Sequence, residues 1–318
     1  LLQGFNQERG SLALALRGVS QDLLQPVAVQ ERDLASIQAR ATRMTAIIPM
    51  FIIMAVLYGA LTAALRLVVG FVEVLGQHMI LLFSVIRWAL RPPYRLVVLL
   101  EAMVFIGFES LPIVLLISLF VGAVFALQLS SALKTFQAQA FTGATVGLAL
   151  ARELAPVFTS IVVSARAGAG IATELGSMRI TEQIDALATM AVNPVQYLIV
   201  PRVIAGTVML PLLAMLFNVV GMCGAYVVAV GVQNVDRGIF IEKAQWLLDP
   251  NDITQGMVKS VVFGCVLTLI ACQQGYNASG GAKGVGVATT RSVVGSFVTI
   301  LVLDYFLTDL WLTLFQRG

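Results

Sequence analysis

The chain has 318 residues, of which 58% are hydrophobic and only 12% carry a charge. Soluble domains average about 25% charged residues, so this composition, with a mean hydropathy of +0.91, predicts a protein with several membrane-spanning helices. The net charge of +3 without a basic run argues against nucleic-acid binding. One histidine and three cysteines without close pairing argue against a metal site.

The first 75 residues are predicted to form an N-terminal extension that precedes the main domain, residues 76–318. Arginines alternate with acidic residues among leucine and alanine up to residue 43. The apolar run Ala46–Leu65 is then long enough to cross a bilayer at about 1.5 Å per residue. We therefore expect an extra N-terminal apolar helix, which either spans the membrane or lies along it.

After the extension, the hydropathy pattern predicts an elbow helix and five core membrane spans. The segment from Gln77 to Leu90 is apolar and is followed by arginines, as in a helix that lies at the membrane surface. A polar turn over 129–141, an outer helix over 238–248 and a glycine-rich loop over 275–290 separate the spans. The fold class is therefore an all-α polytopic membrane protein. Its predicted core spans are Ala102–Leu129, Gly143–Ala172, Val195–Val232, Gly256–Cys272 and Ser292–Phe315.

The densest polar segment of the apolar region runs from Glu174 to Asp185, between the second and third core spans. Each charged residue there would cost about 2.5 kcal/mol or more at the bilayer centre, so this segment leaves the membrane. Apolar residues recur every three or four positions, which predicts a short amphipathic helix with Thr181 as its N-cap. Such a helix either transmits movement from a partner to both neighbouring spans or is a solvated linker. Its apolar positions are Ile180, Ile184, Leu187 and Ala191.

Six segments of the chain closely resemble one family of membrane proteins. They are ELAP (153–156), SARAGAGIATELGSMRITEQIDAL (164–187), NPVQYLIVPRVIAG (193–206), KSVVFG (259–264), GGAKGVGVATTRSVV (280–294) and LDYFLT (303–308). The family is that of the MlaE-type, MCE-associated permeases of lipid ABC transporters, which has plastid and mycobacterial members. The resemblance covers the chain from about Gln77 to the end.

The resemblance implies that the polar segment is a cytoplasmic coupling helix that docks onto a separate ABC ATPase. It also implies a second permease copy, an MCE-type lipid-binding protein outside the membrane, and phospholipid as cargo. The location expected for such a protein is the inner (plasma) membrane of a bacterium, with the plastid inner envelope as the alternative. The ATPase-coupling residues are then Glu174, Leu175, Gly176, Met178, Arg179, Thr181, Glu182, Gln183 and Asp185.

The sequence contains neither an ATP site nor a catalytic constellation. The segment GGAKGVG has glycines and a lysine, but Lys283 is followed by Gly284 where a phosphate loop needs Ser or Thr. A single histidine leaves no Ser/His/Asp set and no metal cluster. We therefore expect no cofactor in this chain, with ATP and magnesium held by the partner ATPase.

The lipid-binding candidates fall on the outer side of the predicted membrane. Arg152 and Glu153 open a span, and they either form a structural ion pair or line the mouth of a cavity that receives lipid head groups. A cavity for acyl chains must be apolar, so its wall is predicted near the outer ends of the first and last spans, although packing is the alternative role of such residues. The wall candidates are Phe125, Leu133, Phe136, Val302, Tyr305 and Phe306.

These observations predict a permease that moves phospholipid under the control of an ATPase in trans and that is not an enzyme by itself. The alternatives are the same architecture for another hydrophobic substrate such as a sterol, an ion-driven secondary transporter, and a scaffold without transport. An ion-driven transporter needs ionisable residues in the middle of its spans. By contrast, Lys259, near the start of the predicted span Gly256–Cys272, is counted with the positive residues of the outer side. The other candidates lie near span ends or in runs of small packing residues: Glu101, Glu109, Arg166 and Asp304.

Overall fold

The computed structural model describes residues 72–92 and 95–315 without a break, together with residues 10, 34, 54, 56–63, 65–66 and 69–70. The chain divides into two compact units, Leu1–Val74 and Leu75–Gly318. Half of the extra helix predicted over Ala46–Leu65 lies within the described residues, and these residues are helical. Its topology stays a prediction.

The described residues contain helices, turns and bends but no β-strand. Six helical stretches are long and apolar enough to cross a membrane, which confirms the prediction of an all-α polytopic membrane protein. The first stretch includes the segment predicted as the elbow helix, and the other five correspond to the five core spans. The six stretches are Val72–Ala89, Leu96–Thr135, Gln139–Ile180, Val195–Gly231, Pro250–Tyr276 and Gly281–Leu314.

The helices are numbered here in chain order. They are α1 (Val72–Ala89), α2 (Leu96–Ile106), α3 (Leu111–Thr135), α4 (Thr142–Ala149), α5 (Ala155–Val163), α6 (Ala169–Ile180), α7 (Gln183–Thr189), α8 (Val200–Gly231), α9 (Arg237–Leu247), α10 (Pro250–Tyr276) and α11 (Gly281–Phe315).

Three π-helical turns interrupt the long spans without ending them. Leu150–Leu154 joins α4 to α5, Ser164–Gly168 joins α5 to α6, and Val195–Ile199 leads into α8. Such turns widen a helix locally and occur frequently at functional sites. The first of them contains Arg152 and Glu153, so the two lipid-binding candidates project from a locally widened helix.

Glycines allow α8 to pack closely between α3 and α10. A Cβ atom on Gly122 of α3 would overlap the carbonyl oxygen of Gly221 on α8, and one on Gly264 of α10 would overlap the carbonyl oxygen of Gly206. Close backbone approach at small residues is the usual way in which membrane helices gain packing energy, because lipid provides no hydrophobic drive for their association. Helix α8 is therefore the central packing element of the larger unit.

The prediction of a glycine-rich loop over 275–290 was wrong for most of that range. Helix α10 continues to Tyr276 and α11 already begins at Gly281, which leaves a connection of four residues. Only Gly280 and Gly281 adopt the positive φ angles that a loop glycine provides, at 91° and 67°. The small residues of this region serve helix packing instead of a loop. A Cβ atom on Gly176 of α6 would lie 3.2 Å from the Val285 side chain, so α6 packs closely against this part of α11.

We expect the substitution Gly122→Ala to lower the unfolding midpoint in detergent by about 5 °C, because the added methyl group must push α3 away from the α8 backbone. Gly231→Ala is the matched control, since a Cβ atom there meets nothing within 4 Å. Thermal unfolding followed by tryptophan fluorescence measures both variants. Equal midpoints for the two would contradict the close approach of α3 and α8.

Candidate functional site

The two groups of candidate residues lie at opposite ends of one continuous helical stretch, Gln139–Ile180. Glu153 lies in its first half, and the coupling candidates begin at Glu174. Helix α8, with 32 residues, leads from the region of α7 to that of α9. We therefore call the two ends of the bundle the α7 end and the α9 end.

A buried lysine towards the α9 end is held by two carboxylates. Lys259 on α10 has a side chain that is 2% exposed, and its Nζ donates to Glu153 Oε2 at 2.6 Å and to Asp304 Oδ1 at 2.9 Å. Thr308 Oγ1 donates to the other oxygen of Glu153 at 3.4 Å. We refer to Lys259, Glu153 and Asp304 as the Lys259 triad. It joins the first π turn, α10 and α11 in one network of ion pairs.

Arg152, the neighbour of Glu153, makes a separate ion pair with α10. Its Nε and Nη2 atoms lie 2.8 and 2.7 Å from Asp252 Oδ1. The second oxygen of Asp252 accepts from the backbone N–H of Asp249 at 3.0 Å, so the same carboxylate also caps the start of α10. Arg152 and Glu153 therefore each pair with a different residue of α10.

At the α7 end, a left-handed residue separates α6 from α7. Glu182 has a φ of 59°, and this conformation turns the chain before α7 begins at Gln183. The prediction that Thr181 is the N-cap of this helix was wrong. Its hydroxyl donates back to the carbonyl of Ser177 at 2.8 Å and closes the end of α6 instead, because α6 continues as far as Ile180.

Helix α7 is an exposed helix fixed at few points. Ile184 is 1% exposed and Leu187 packs against the core, whereas most other side chains of α7 face outward. Arg179 at the end of α6 donates to Asp185 at 2.6 Å and lies over the ring of Tyr276 at 5.8 Å. These contacts hold the short helix beside the ends of α6 and α10.

The predicted coupling residues separate into an exposed polar group at the start of α7 and a group in α6, in which only Glu174 is exposed. Thr181, Glu182, Gln183 and Asp185 are exposed and form a polar surface at the start of α7. The remaining residues hold α6 in the bundle. Leu175 and Gly176 are buried, Met178 packs against the core, and Glu174 binds Arg202 of α8 at 2.7 Å.

The predicted lipid-wall residues lie on two separate parts of the described bundle, α3 with its C-cap Phe136 on one side and α11 on the other. Phe125 packs partly against the core, and Leu133 is half-buried, whereas Phe136 is 79% exposed. Val302, Tyr305 and Phe306 are exposed on α11, where the two aromatic rings meet edge to face at 5.6 Å. An apolar cavity of about 740 Å³ among residues of α4, α8, α9 and α10 contains none of these wall residues, whereas Phe125 lines an open pocket of about 550 Å³ along α3.

Comparison with known proteins identifies the family. The sequence profile described as Permease MlaE matches residues 99–310, which include the Lys259 triad and α7. The chain belongs to the MlaE permease family. The recognition from six sequence segments is therefore confirmed.

Relatives of this MlaE-family permease come from bacteria and from a plastid. A probable ABC transporter permease protein of Rickettsia felis is 38% identical over 243 residues, which cover 76% of this chain and 94% of the relative. The intermembrane phospholipid transport system permease protein MlaE of Haemophilus influenzae is 36% identical over 242 residues, covering 76% and 93%. The chloroplastic protein TRIGALACTOSYLDIACYLGLYCEROL 1 of Arabidopsis thaliana is 40% identical over 203 residues, covering 64% and 58%.

The position of Lys259 is the main feature that the sequence analysis missed. It was counted among the positive residues of the outer side, and its burial was not predicted. Helix α10 begins at Pro250, six residues before the predicted span, so Lys259 lies well inside the helix, and its side chain is 2% exposed. Asp304 was considered only as a residue near a span end. A lysine inside an apolar run of a membrane protein needs a carboxylate nearby. Applied to Lys259, this rule could have predicted its ion pairs. Buried ionisable residues therefore do exist in the spans of this permease, contrary to the premise used against an ion-driven transporter.

We expect Lys259→Met to destabilise the permease by about 3 kcal/mol, because it leaves the two carboxylates of the triad without their cation. A triple variant that also carries Glu153→Gln and Asp304→Asn should recover most of this loss, since it removes the uncompensated charges together. The yield of monodisperse protein and thermal unfolding in detergent measure both effects. A Lys259→Met variant as stable as the parent protein would show that the ion pairs are not structural.

Proposed function

We propose that this chain is the membrane subunit of an ATP-driven ABC transporter that moves phospholipid between the bacterial inner membrane and an MCE-type lipid-binding protein. Two copies of the permease would form the path, and an ABC ATPase carrying ATP and magnesium would bind each copy in trans. The chain itself catalyses no step in this scheme.

The exposure and attachment of α7 are the observation that carries the proposal. Its polar surface is accessible to a partner, while Ile184 and the Arg179–Asp185 pair attach it to the bundle. At the same end, Glu174 of α6 is bound to Arg202 of α8. A partner that displaces α7 would therefore move α6 and, through it, α8. This is the mechanical connection that an ATPase subunit needs.

The Lys259 triad limits how such a movement can proceed. The α6 helix continues the stretch that contains Glu153, so a displacement at the α7 end reaches the triad directly. Breaking the triad would leave charges uncompensated among membrane helices, which is costly. We therefore propose that the first π turn, α10 and α11 move as one body during transport, with the ion pairs intact.

The outward apolar faces of α3 and α11 are proposed to meet the second copy and the lipid. Phe136, Val302, Tyr305 and Phe306 are exposed large apolar side chains on these faces. Two copies that bring such faces together would enclose a space suited to acyl chains. The name of the Haemophilus influenzae relative supports phospholipid over a sterol as the cargo.

Ion-driven transport is the second candidate, and the Lys259 triad is the observation that favours it, since two carboxylates share one ammonium group there. Proteoliposomes separate the two mechanisms. An ATP-driven permease transfers lipid with its ATPase and ATP in the absence of any ion gradient. Transfer that follows a proton or sodium gradient and ignores ATP would support the second candidate.

We expect the double reversal Glu182→Arg and Asp185→Arg to abolish co-purification with the partner ABC ATPase, and with it ATP-dependent lipid transfer. Both carboxylates are exposed on the proposed contact surface. Asp185→Arg breaks the pair with Arg179, but such an exposed pair contributes at most about 1 kcal/mol and Ile184 still anchors α7, so the fold should survive. Glu242→Arg on α9 is the matched control, because it reverses an exposed charge at the other end of the bundle. Normal ATPase binding by the double variant would contradict the docking role of α7.

A photo-crosslinking residue placed at Phe136 or Tyr305 should capture phospholipid and a second permease copy in membranes. The same residue at Val97, which is also exposed but near the start of α2, should capture bulk lipid without the second copy. Mass spectrometry of the adducts identifies both partners. Sterol adducts at Phe136 or Tyr305 would indicate the other hydrophobic substrate, and identical adducts at all positions would contradict a lipid path between copies.

A further inference from the structure

A small pocket at the α7 end has a lining unlike that of the other cavities. Its volume is about 110 Å³, and it lies where α1 ends and where α2 and α8 begin. The polar part of its lining consists of Arg91, Arg95 and Gln196, and the apolar part includes Trp88, Leu99 and Ile204. We call it the Arg91–Arg95 pocket.

The two arginines of this pocket differ from the arginines inside the bundle. Among the described residues, no carboxylate forms an ion pair with Arg91 or Arg95, and both side chains are exposed. Four arginines of the described bundle are paired with acidic residues: Arg152, Arg166, Arg179 and Arg202. Arg87, Arg237 and Arg291 form no ion pair with a described residue either, but none of them lines this pocket. The Arg91–Arg95 pocket therefore holds two positive charges that no described residue neutralises through an ion pair.

Aromatic rings and one hydrogen bond support the two guanidinium groups. Arg91 lies 5.7 Å from the centroid of the Trp88 ring, and Arg95 lies 4.2 Å from that of Tyr197. Gln196 Nε2 donates to the carbonyl oxygen of Arg91 at 2.9 Å, which ties the segment after α1 to the start of α8. Stacking on a ring uses the face of a guanidinium group and leaves its N–H groups at the edge available to an anion.

The start of α2 adds backbone donors beside the same pocket. Arg95 is the N-cap residue of this 11-residue helix, and no side chain caps its first N–H groups. Leu96, the first residue of α2, lines the pocket. A helix start has free N–H groups and a partial positive charge, both of which favour an anion. Two unpaired arginines and an uncapped helix start thus converge on one small space.

We propose that the Arg91–Arg95 pocket binds the phosphate of an anionic phospholipid from the leaflet at the α7 end. The apolar lining runs along the start of two membrane spans, so an acyl chain of the same lipid can follow Leu99 and Ile204. Free phosphate gains nothing from that lining, which is why the observations favour a lipid. Basic pockets between membrane helices bind lipid head groups in this way.

This site goes beyond the proposed function. It lies at the opposite end of the bundle from the Lys259 triad and from the wall residues of the proposed lipid path. A lipid bound there would link the end of α1 to the starts of α2 and α8. It would stabilise the junction near α7 and would not be cargo.

Lipid retention by the delipidated full chain in detergent tests the proposal. Micelles containing either phosphatidylglycerol or phosphatidylcholine are added, and native mass spectrometry counts the retained lipid. We expect the parent chain to prefer phosphatidylglycerol by about tenfold, and the double variant Arg91→Gln and Arg95→Gln to lose that preference. Arg87→Gln is the matched control, because it removes an exposed positive charge from α1 outside the pocket lining and should keep the preference.

Three outcomes would overturn the proposal. Equal loss of preference in Arg87→Gln would show a general surface-charge effect, and displacement of phosphatidylglycerol by excess inorganic phosphate would show a site for free phosphate. An unchanged preference for phosphatidylglycerol in the double variant would show that the Arg91–Arg95 pocket is not the lipid site. If the double variant does not fold, the single variants Arg91→Gln and Arg95→Gln should each lose about threefold. The assay needs no ATPase, so its outcome is independent of the transport proposal.

Discussion

The ammonium group of Lys259 places the strongest constraint on this structure. A lysine buried among membrane-spanning helices is tolerated only where acidic groups reach it, and here Glu153 and Asp304 do so from two other helical segments. The three segments must keep their relative rotation and height, because a shift of one residue would take a carboxylate away from Nζ. The triad therefore fixes the arrangement of α10, α11 and the first π turn.

The backbone has to approach closely for these ion pairs to form. A Cβ atom on Gly256 of α10 would overlap the carbonyl oxygen of Ala151, one residue before Arg152. Gly256 lies three residues before Lys259, so this contact sets the height at which lysine and carboxylate meet. The π turn Leu150–Leu154 presents Arg152 and Glu153 together towards α10. The resulting bonds are as short as those of well-formed charge-assisted pairs.

The two ends of the bundle consequently differ in their mechanical character. Towards the α9 end, each ion pair has one buried member, Lys259 or Asp252, which would be left uncompensated, so these pairs are costly to break. At the α7 end, the Arg179–Asp185 pair is largely exposed, and such pairs contribute at most about 1 kcal/mol. Helix α7 can therefore adapt its position to a partner while the remainder of the bundle keeps its packing. This division suits a subunit that receives movement at one end and must keep its charges compensated at the other.

The sequence by itself determined the features that depend on local composition. The all-α class, the five core spans, the exposed polar surface at the start of α7 and the helix over 238–248 followed from hydropathy and periodicity, since the cost of a charge in hydrocarbon is a local quantity. The family was recognised from motifs in the same way. The bounds of α6 and α11 were less predictable, because small residues serve both loops and close helix contacts.

Only the tertiary structure decided which residues meet. Lys259 is 106 residues from Glu153 and 45 residues from Asp304 in sequence, and Arg152 is 100 residues from Asp252. Hydropathy contains no information about the rotation of one helix against another, so it could not show that Lys259 is buried. For the same reason it could not separate the buried Leu175 from the exposed coupling residues. Pairing depends on helix rotation and height, and these are properties of the packed bundle.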